Sequence, residues 1–367
     1  MKKVSIKLPV KPPVKASIGQ KAAVVFGLVL GALIMLAPVT VFASAGKPES
    51  TTTSNVVKIA LIIENTIDDK GWCQAMYDGI LEAQKLLPGR IEFSYSEKML
   101  PVDAGSAARQ YAAQGYHIII GHGAQYKNLI LEMAEEFPNI TFAFGTSAEI
   151  GPKNVFTYMP ESEETGCLNG IIAGLLTKSN IIGYVGPVDG GDAARYGRGF
   201  VLGVQKVNPE AKIMVAHTGS FSDFVKAGEV AHSQIRNGSD ILTGASQQAI
   251  GALRAVSDDA YRSQYLWWLG QDLAQLNTPE GKAKCIAASS YNYAAVIKGF
   301  VEKHDAGIKG GECIPMNFFN GGFVFQYNQN LSGEISPELR AQVDAALAAF
   351  RKAPNTINWN GVDYSKL

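Results

Sequence analysis

The chain has 367 residues, of which 47% are hydrophobic and 18% charged, and its 33 basic and 33 acidic residues give no net charge. This length allows one large two-lobed domain or two ordinary ones, with ample apolar residues for a core. The charges are unevenly placed, because residues 1–45 contain six lysines and no acidic residue. The remaining body is mildly acidic, which excludes the basic surface that nucleic-acid binding requires.

The first 45 residues have the pattern of an export signal. A lysine-bearing start precedes the apolar run "AAVVFGLVLGALIMLAPVTVFA" and then "ASA" at 43–45, the small-x-small form that signal peptidase cleaves. The same run is also long enough to span about 30 Å of hydrocarbon as an uncleaved anchor. We expect a signal peptide at 1–45, a flexible leader at 46–55, and a mature protein in the periplasm or outside the cell.

From residue 56 onward, short apolar runs alternate with longer segments of helical character. The runs include "VKIALII", "HIIIGHG", "IIGYVGP" and "YLWWLGQD". Continuous apolar strands that alternate with helices are typical of parallel sheets covered on both faces. There are too many such runs for one modest sheet. The sequence therefore predicts an α/β protein with two doubly wound parallel-sheet lobes.

The predicted lobes have the following bounds: lobe 1 at 56–150 and 273–312, and lobe 2 at 151–272 and 313–330. Residues 331–367 form a C-terminal helix and tail, in which "ISPELRAQVDAALAAFRK" has the pattern of an amphipathic helix begun by Ser336 and Pro337. Two such lobes leave a cleft at the carboxyl ends of their strands, where open α/β sheets bind ligands.

Four cysteines, Cys73, Cys167, Cys285 and Cys313, can form two disulfides with three possible connectivities. Export permits such bonds, although a core of this size does not need them. If one pair forms, we expect it to be Cys285 with Cys313. The five histidines make no ligand cluster with these thiols, so we expect no metal site.

Several predicted strands end in polar or glycine-rich residues at the edge that faces the cleft. The first ends at Glu64 and leads into "IDDKGWCQ" (67–74), and others end in "GHGAQY", "GSFSD", "TGAS", "GQD" and "SSYN". Trp72 from one lobe and Phe221 from the other can close on a planar ligand, which favours stacking by about 0.5–1.5 kcal/mol. The carboxylates that can accept hydrogen bonds from ring NH groups or sugar hydroxyls are Glu64, Asp68, Asp223 and Asp272. In "GHG", the short residues beside His122, such as Gly123, would let the main chain approach a ligand closely.

Each of these residues also has an ordinary structural interpretation. Asp68 and Asp69 can favour the positive end of the following helix, and Asp223 can serve the next one in the same way. Trp72 can be first-turn packing, and His122 can be a hydrogen-bonded loop histidine. The ligand hypothesis depends on their falling together at one edge.

A family resemblance supports that hypothesis. The segment "KIALIIENTIDDKGWCQAMYDGI" resembles the signature of the basic membrane protein family of substrate-binding proteins, the purine-nucleoside-receptor-like group. The likeness continues through "ESEETGCLNGIIAGLLTKSNIIGYVG" and "LGQD" and covers about residues 57–328. It implies two α/β lobes joined by a hinge, a type I periplasmic-binding-protein-like fold. It also implies a monomer without cofactor that delivers ligands, often purine nucleosides, to the permease of an ABC importer.

Carried over by position, the resemblance implies that Trp72 replaces a stacking phenylalanine and that Phe221 keeps the second ring. Glu64 stands near an acid that faces the base, Cys73 replaces a base-contacting asparagine, and Asp272 keeps a ribose-binding acid. The complete predicted ligand set is Glu64, Asp68, Trp72, Cys73, His122, Gly123, Thr146, Phe221, Asp223, Gly244, Asp272 and Asn292.

Two further departures from the family pattern bear on the choice of ligand. Thr146 stands where an acid is expected, and Asn292 stands where a lysine is expected. Because a site that pairs with a given polar group rejects ligands lacking it, we expect altered specificity. The expected ligand is therefore a nucleoside-like or other planar heteroaromatic molecule, not adenosine or guanosine in particular.

Two other functions stay open at this stage. An exported enzyme, such as a nucleoside hydrolase, could use the carboxylates, but the chain has no G-x-S-x-G, H-E-x-x-H or Walker-type phosphate loop. A sensory protein that presents its ligand to a membrane receptor would use the same hinge closure as a transport protein. We therefore expect a binding protein without catalytic residues.

Overall fold

The computed structural model describes residues 56–367, so the predicted signal peptide and leader lie outside the described residues. The strands are β1 Val57–Ile62, β2 Ile91–Ser96, β3 Ile118–Gly121, β4 Thr141–Gly145, β5 Val155–Pro160, β6 Ile181–Gly186, β7 Lys212–His217, β8 Ile241–Gly244, β9 Trp267–Gly270, β10 Cys285–Tyr291, β11 Glu312–Met316 and β12 Phe323–Tyr327. The α-helices are α1 Trp72–Leu86, α2 Pro101–Ala113, α3 Lys127–Glu136, α4 Glu163–Leu176, α5 Gly191–Val207, α6 Phe224–Arg236, α7 Ala249–Val256, α8 Leu273–Leu276, α9 Pro279–Lys284, α10 Tyr293–Asp305 and α11 Pro337–Lys352.

The strands form two six-stranded sheets, one in each lobe. The first has the order β11-β5-β4-β3-β1-β2, and the second has the order β12-β10-β9-β8-β6-β7. All neighbours are parallel except β12, which runs antiparallel to β10. In each sheet the chain winds in both directions from one strand, β1 or β6, which leaves a switch point beside it. The predicted pair of doubly wound α/β lobes is confirmed.

Helices pack on both faces of each sheet, as continuous apolar strands require. Every residue of β3 and β4 is buried. In the second lobe, α4 and α5 approach through glycines, and a Cβ on Gly166 would lie only 2.0 Å from the carbonyl oxygen of Tyr196. This close packing fixes the start of α5 at the cleft.

The chain crosses between the lobes three times, from β5 to α4, from β10 to α10 and from β11 to β12. The crossings correct the predicted boundaries. β5 pairs with β4 in the first sheet, although the prediction gave it to lobe 2, and β10 lies in the second sheet, although the prediction gave it to lobe 1. β11, "ECIPM", was not predicted as a strand, and it pairs with β5. An apolar run indicates burial but not which sheet buries it.

The C-terminal helix begins as predicted, since the Ser336 hydroxyl accepts a hydrogen bond from the Leu339 amide at 3.1 Å. All four cysteines are free, so the pair that was expected if one disulfide formed is not joined. Cys285 lies on β10 and Cys313 on β11, which belong to different sheets. Among residues 56–367, no helix combines the length and apolar character that a membrane crossing needs.

Candidate functional site

A cavity of about 270 Å³ lies between the lobes at the carboxyl ends of the strands. Ligand pockets commonly enclose roughly 300–1,000 Å³, so the space suits a small molecule. Six predicted residues line it: Glu64, Trp72, Gly123, Thr146, Phe221 and Asp272. The two predicted stacking rings therefore border one cavity, with Trp72 from the first lobe and Phe221 from the second.

The turn that carries Trp72 is fixed by the carboxylate of Asp69. That side chain accepts hydrogen bonds from the backbone amides of Gly71 at 3.0 Å, Cys73 at 3.2 Å and Gln74 at 3.0 Å. Burial raises the pKa of Asp69, and these three amides oppose the shift. Asp69 therefore caps α1 and points its start, including Trp72, at the cleft.

His122 holds the indole of Trp72 in place from behind. The two rings stack with centroids 4.3 Å apart and planes within 8°. Trp72 Nε1 donates to the carbonyl oxygen of His122 at 3.1 Å, and His122 Nε2 donates to that of Trp72 at 3.0 Å. His122 Nδ1 accepts from the Tyr158 hydroxyl at 2.6 Å. Burial lowers the pKa of His122 to about 3, so the imidazole is neutral.

Two tyrosines from the β10–α10 crossing pack against the edge of the same indole. The rings of Tyr291 and Tyr293 lie 5.1 Å and 5.7 Å from Trp72, both nearly perpendicular to it. The Tyr291 hydroxyl donates to Oδ2 of Asp192 at 2.8 Å. Tyr291 and Asp192 both line the cavity, although the sequence analysis assigned neither.

Glu64 joins the two lobes across the cleft. Its carboxylate accepts hydrogen bonds from Gln125 Nε2 at 3.0 Å and from Gln247 Nε2, in the second lobe, at 3.2 Å. A Cβ on Gly71 would lie 2.8 Å from Cα of Gln247, so the backbones also approach closely there. Burial raises the pKa of Glu64. The glycine permits this closed arrangement of the lobes.

Asp272 carries an acceptor without a partner. Its Oδ1 caps α8 by accepting from the Ala274 amide at 2.9 Å, whereas its Oδ2 is buried without a hydrogen-bond partner. Burial raises the pKa of this carboxyl well above its usual value. An unsatisfied buried acceptor is costly, so a donor from a ligand would stabilise it.

Phe221 lies on the loop between β7 and α6, and its side chain is 40% exposed. Its carbonyl oxygen accepts hydrogen bonds from the Gln248 amide at 3.0 Å and from the Ser246 hydroxyl at 3.1 Å. Within the described residues, the ring itself has no aromatic neighbour. The backbone of this wall is therefore anchored, while its ring faces open space.

Thr146 and Ser246 line the cavity with strained backbones. Their φ angles are +56° and +61°, the left-handed region that non-glycine residues seldom adopt. Thr146 Oγ1 accepts from the Ala124 amide at 3.0 Å. Such strain costs on the order of 1 kcal/mol or more and clusters at binding sites.

Six predicted ligand residues do not line the cavity: Asp68, Cys73, His122, Asp223, Gly244 and Asn292. Asp68 is exposed, and Cys73 is buried. Asp223 caps α6 through the Lys226 amide at 2.9 Å. Gly244 packs closely in the fold, since a Cβ there would lie 2.8 Å from the carbonyl oxygen of Val185. The side-chain amide of Asn292 donates a hydrogen bond to the carbonyl oxygen of Gly321 at 2.9 Å.

Among the lining residues that were not predicted, those with polar side chains are four glutamines and three others: Gln125, Gln247, Gln271, Gln275, Ser246, Asp192 and Tyr291. Four of them stand inside the strand-end segments already singled out. Gln125 belongs to "GHGAQY", Ser246 to "TGAS", Gln271 to "GQD" and Tyr291 to "SSYN". Their positions in these segments would have been enough to predict all four as lining residues.

Two α/β lobes with three crossings and a cleft between them are an architecture found in solute-binding proteins. Similar solved structures share this fold. A solute-binding protein of an ABC transporter system from Conexibacter woesei has a TM-score of 0.67 and 22% identity, and covers 83% of this chain and 99% of its own. One from Aeropyrum pernix has a TM-score of 0.69 and 16% identity, and covers 80% of this chain and 91% of its own.

Residues 56–355 match the family model described as ABC transporter substrate-binding protein PnrA-like, and the chain belongs to that family. The predicted family is thus confirmed. The nucleoside-binding protein BmpA of a Lactococcus lactis ABC transporter is 24% identical over 308 residues, 79% of this chain and 88% of that protein. A purine-binding protein of Brucella abortus is 24% identical over 300 residues, 71% of this chain and 83% of that protein.

Proposed function

We propose that this substrate-binding protein acts outside the cytoplasm and carries a nucleoside or nucleoside-like flat molecule to the permease of an ABC importer. One observation carries the proposal. Trp72 and Phe221, from opposite lobes, line the same cavity. The names of the Lactococcus and Brucella relatives support a nucleoside or purine as the class of ligand.

The cavity supplies contacts for both parts of a nucleoside. The base would stack on Trp72, which contributes about 0.5–1.5 kcal/mol beyond the burial of its surface. The amides of Gln125 and Gln247 line the same cavity and would offer both donors and acceptors to a base edge. The carboxylate of Asp272, which lines the cavity, would accept from a sugar hydroxyl. None of these groups forms a nucleophile and base pair, so the ligand would leave unchanged.

Titration calorimetry of residues 56–367 against a panel of nucleosides, free bases and sugars tests the proposal. We expect a nucleoside to bind with micromolar or tighter affinity and to be recovered intact afterwards. Trp72→Ala should weaken binding about 100-fold. Trp359→Ala is the matched control, because this tryptophan stacks on Arg195 outside the cavity. Absence of binding across the panel, or undiminished binding by Trp72→Ala, would refute the proposal.

A further inference from the structure

The charged groups that line the cavity all have the same sign. They are the carboxylates of Glu64, Asp192 and Asp272, and among the described lining residues there is no lysine, arginine or histidine. Nor do these carboxylates form an ion pair elsewhere within residues 56–367. Glu64 accepts hydrogen bonds from two side-chain amides, and Asp192 accepts from the Tyr291 hydroxyl and from backbone amides. Asp272 accepts from a backbone amide and interacts with the Ser290 hydroxyl.

One of the three carboxylates has an oxygen atom that accepts no hydrogen bond. Asp272 is only 4% exposed, and its Oδ2 has no hydrogen-bond partner. Burial also raises the pKa of Glu64, Asp192 and Asp272, and only at Asp192 does a cation outside the cavity lining, Arg195, oppose the shift. A cation that entered the cavity would offset the cost of ionising them.

The aromatic wall suits a cation as well. Tryptophan has the best face for a cation, and the attraction reaches about 2 kcal/mol when both groups are desolvated. The ring behind Trp72 is the neutral imidazole of His122, so no positive charge on that side opposes a cation on the open face. The edge is covered by two uncharged phenol rings.

We propose that the cleft selects a ligand with a positively charged flat ring, such as a pyridinium or N-alkylated base nucleoside, and rejects phosphorylated forms. This inference rests on the proposed function and specifies its substrate. The charged ring would lie on Trp72, with Glu64, Asp192 and Asp272 around it. Those three carboxylates would repel a phosphate group, since no cationic side chain is among the described lining residues.

Two pairs of nearly isosteric probes test this charge selection. Nicotinamide riboside carries a pyridinium, and benzamide riboside replaces its ring nitrogen by carbon and is neutral. N7-methylguanosine carries a positive charge in its base, and guanosine does not. In at least one pair we expect the cation to bind about tenfold more tightly, in line with a cation–π contribution of 1–2 kcal/mol. Nicotinamide mononucleotide, which adds a phosphate, should bind more weakly than nicotinamide riboside.

Substitutions of the carboxylates test whether they cause the preference for the cationic ligand. Asp192→Asn and Asp272→Asn should each bring the affinities of the two members of a pair closer together. The matched control is Asp305→Asn, because this exposed carboxylate pairs with Arg90 outside the cavity. Circular dichroism and thermal unfolding check that each variant is folded before its affinities are compared.

The outcomes separate this inference from the proposed function. If the neutral member binds as tightly as the cation in both pairs, charge selection is wrong and nucleoside binding stands. Equal affinities for nicotinamide riboside and nicotinamide mononucleotide would also show that charge selection is wrong. If no nucleoside in either pair or in the wider panel binds, the proposed function itself fails. A cation preference that persists in both carboxylate variants overturns the assignment to Asp192 and Asp272.

Discussion

The two aromatic walls of the cleft are built in different ways. Trp72 is half-buried, stacks on His122 and forms a hydrogen bond through its ring nitrogen. Phe221 is 40% exposed and has no aromatic neighbour in the described part of the chain. The Trp72 ring of the first lobe is thus already held in place by other side chains, whereas the Phe221 ring of the second lobe would be covered only by a ligand.

This difference bears on how binding energy is distributed. A ring held in its bound orientation loses little conformational freedom when a ligand arrives, so nearly all of its contact energy appears as affinity. A ring on an open loop is ordered only during closure, and part of its contact energy offsets that ordering. We therefore expect the ligand to settle on the Trp72 wall first and the Phe221 wall to act mainly after closure.

Replacement of Trp72 should have the largest effect on binding. Trp72→Ala removes the prepared surface and opens a void in front of His122, and we expect the dissociation constant to rise about 100-fold, as at a central aromatic hot spot. Calorimetry with the ligand identified in the panel measures the change. Loss of less affinity than in Phe221→Ala would reverse the comparison between the walls.

His122 tests whether preorganisation matters, since it lies behind the ring and does not line the cavity. His122→Ala removes the stacking partner and leaves the Tyr158 hydroxyl without its acceptor. We expect about tenfold weaker binding and a loss of about 2–4 kcal/mol in the free energy of unfolding. If His122 only stabilised the fold, the affinity of the folded variant would not change.

How far the sequence predicts this site can be judged from the same residues. Positions at strand ends located the cleft edge, and with it Trp72 and Phe221. They did not show which way a side chain points: Cys73, one residue after Trp72 on the helix, turns into the core, and His122 supports the indole. Gln247 could not be predicted as a partner of Glu64, because that contact depends on the closed arrangement of the two lobes.

The sequence did not predict the lobe boundaries, for a related reason. β5 is apolar whether it lies in the first sheet or the second, and its crossing to α4 has no linker of distinctive composition. β11 carries a proline and one charged residue, Glu312, and it lies at the edge of the first sheet, so its pattern is not that of a buried strand.

The neutral His122 also predicts a pH dependence of stability. Its folded pKa of about 3 lies below the ordinary value of 6.5, so between these values the unfolded chain binds a proton that the folded protein does not. Stability is full above pH 6.5 and falls as the pH drops towards 3, by about 1.4 kcal/mol per unit from this group.

Denaturant unfolding at several pH values measures that slope, with His122→Gln for comparison. The variant should lose stability less steeply over the same range. His117 and His217, whose pKa burial also lowers, contribute to both proteins and cancel in the difference. Parallel profiles for the two proteins would show that His122 is not the group responsible.

A smaller effect is expected at the second wall. Phe221→Ala should weaken binding about fivefold, mainly through faster dissociation, because the Phe221 ring stays half-exposed until the lobes close over the ligand. The free energy of unfolding should change by less than about 0.5 kcal/mol, as at most exposed positions. Stopped-flow release measures the dissociation rate. Phe319→Ala is the control, since Phe319 is 49% exposed and does not line the cavity.

The smallest effect should come from the hydrogen bond that spans the cleft. Gln247→Ala removes the donor that Glu64 receives from the second lobe and leaves that carboxylate with Gln125 alone. One such bond contributes about 0.5–1.5 kcal/mol, so we expect roughly threefold weaker binding. Gln264→Ala, at an exposed position, is the control. Because Gln247 acts only when the lobes are closed, its loss should raise the dissociation rate of the ligand and leave the association rate unchanged. A slower association instead would mean that this amide guides the ligand to the open first lobe, and the division of roles between the walls would no longer hold.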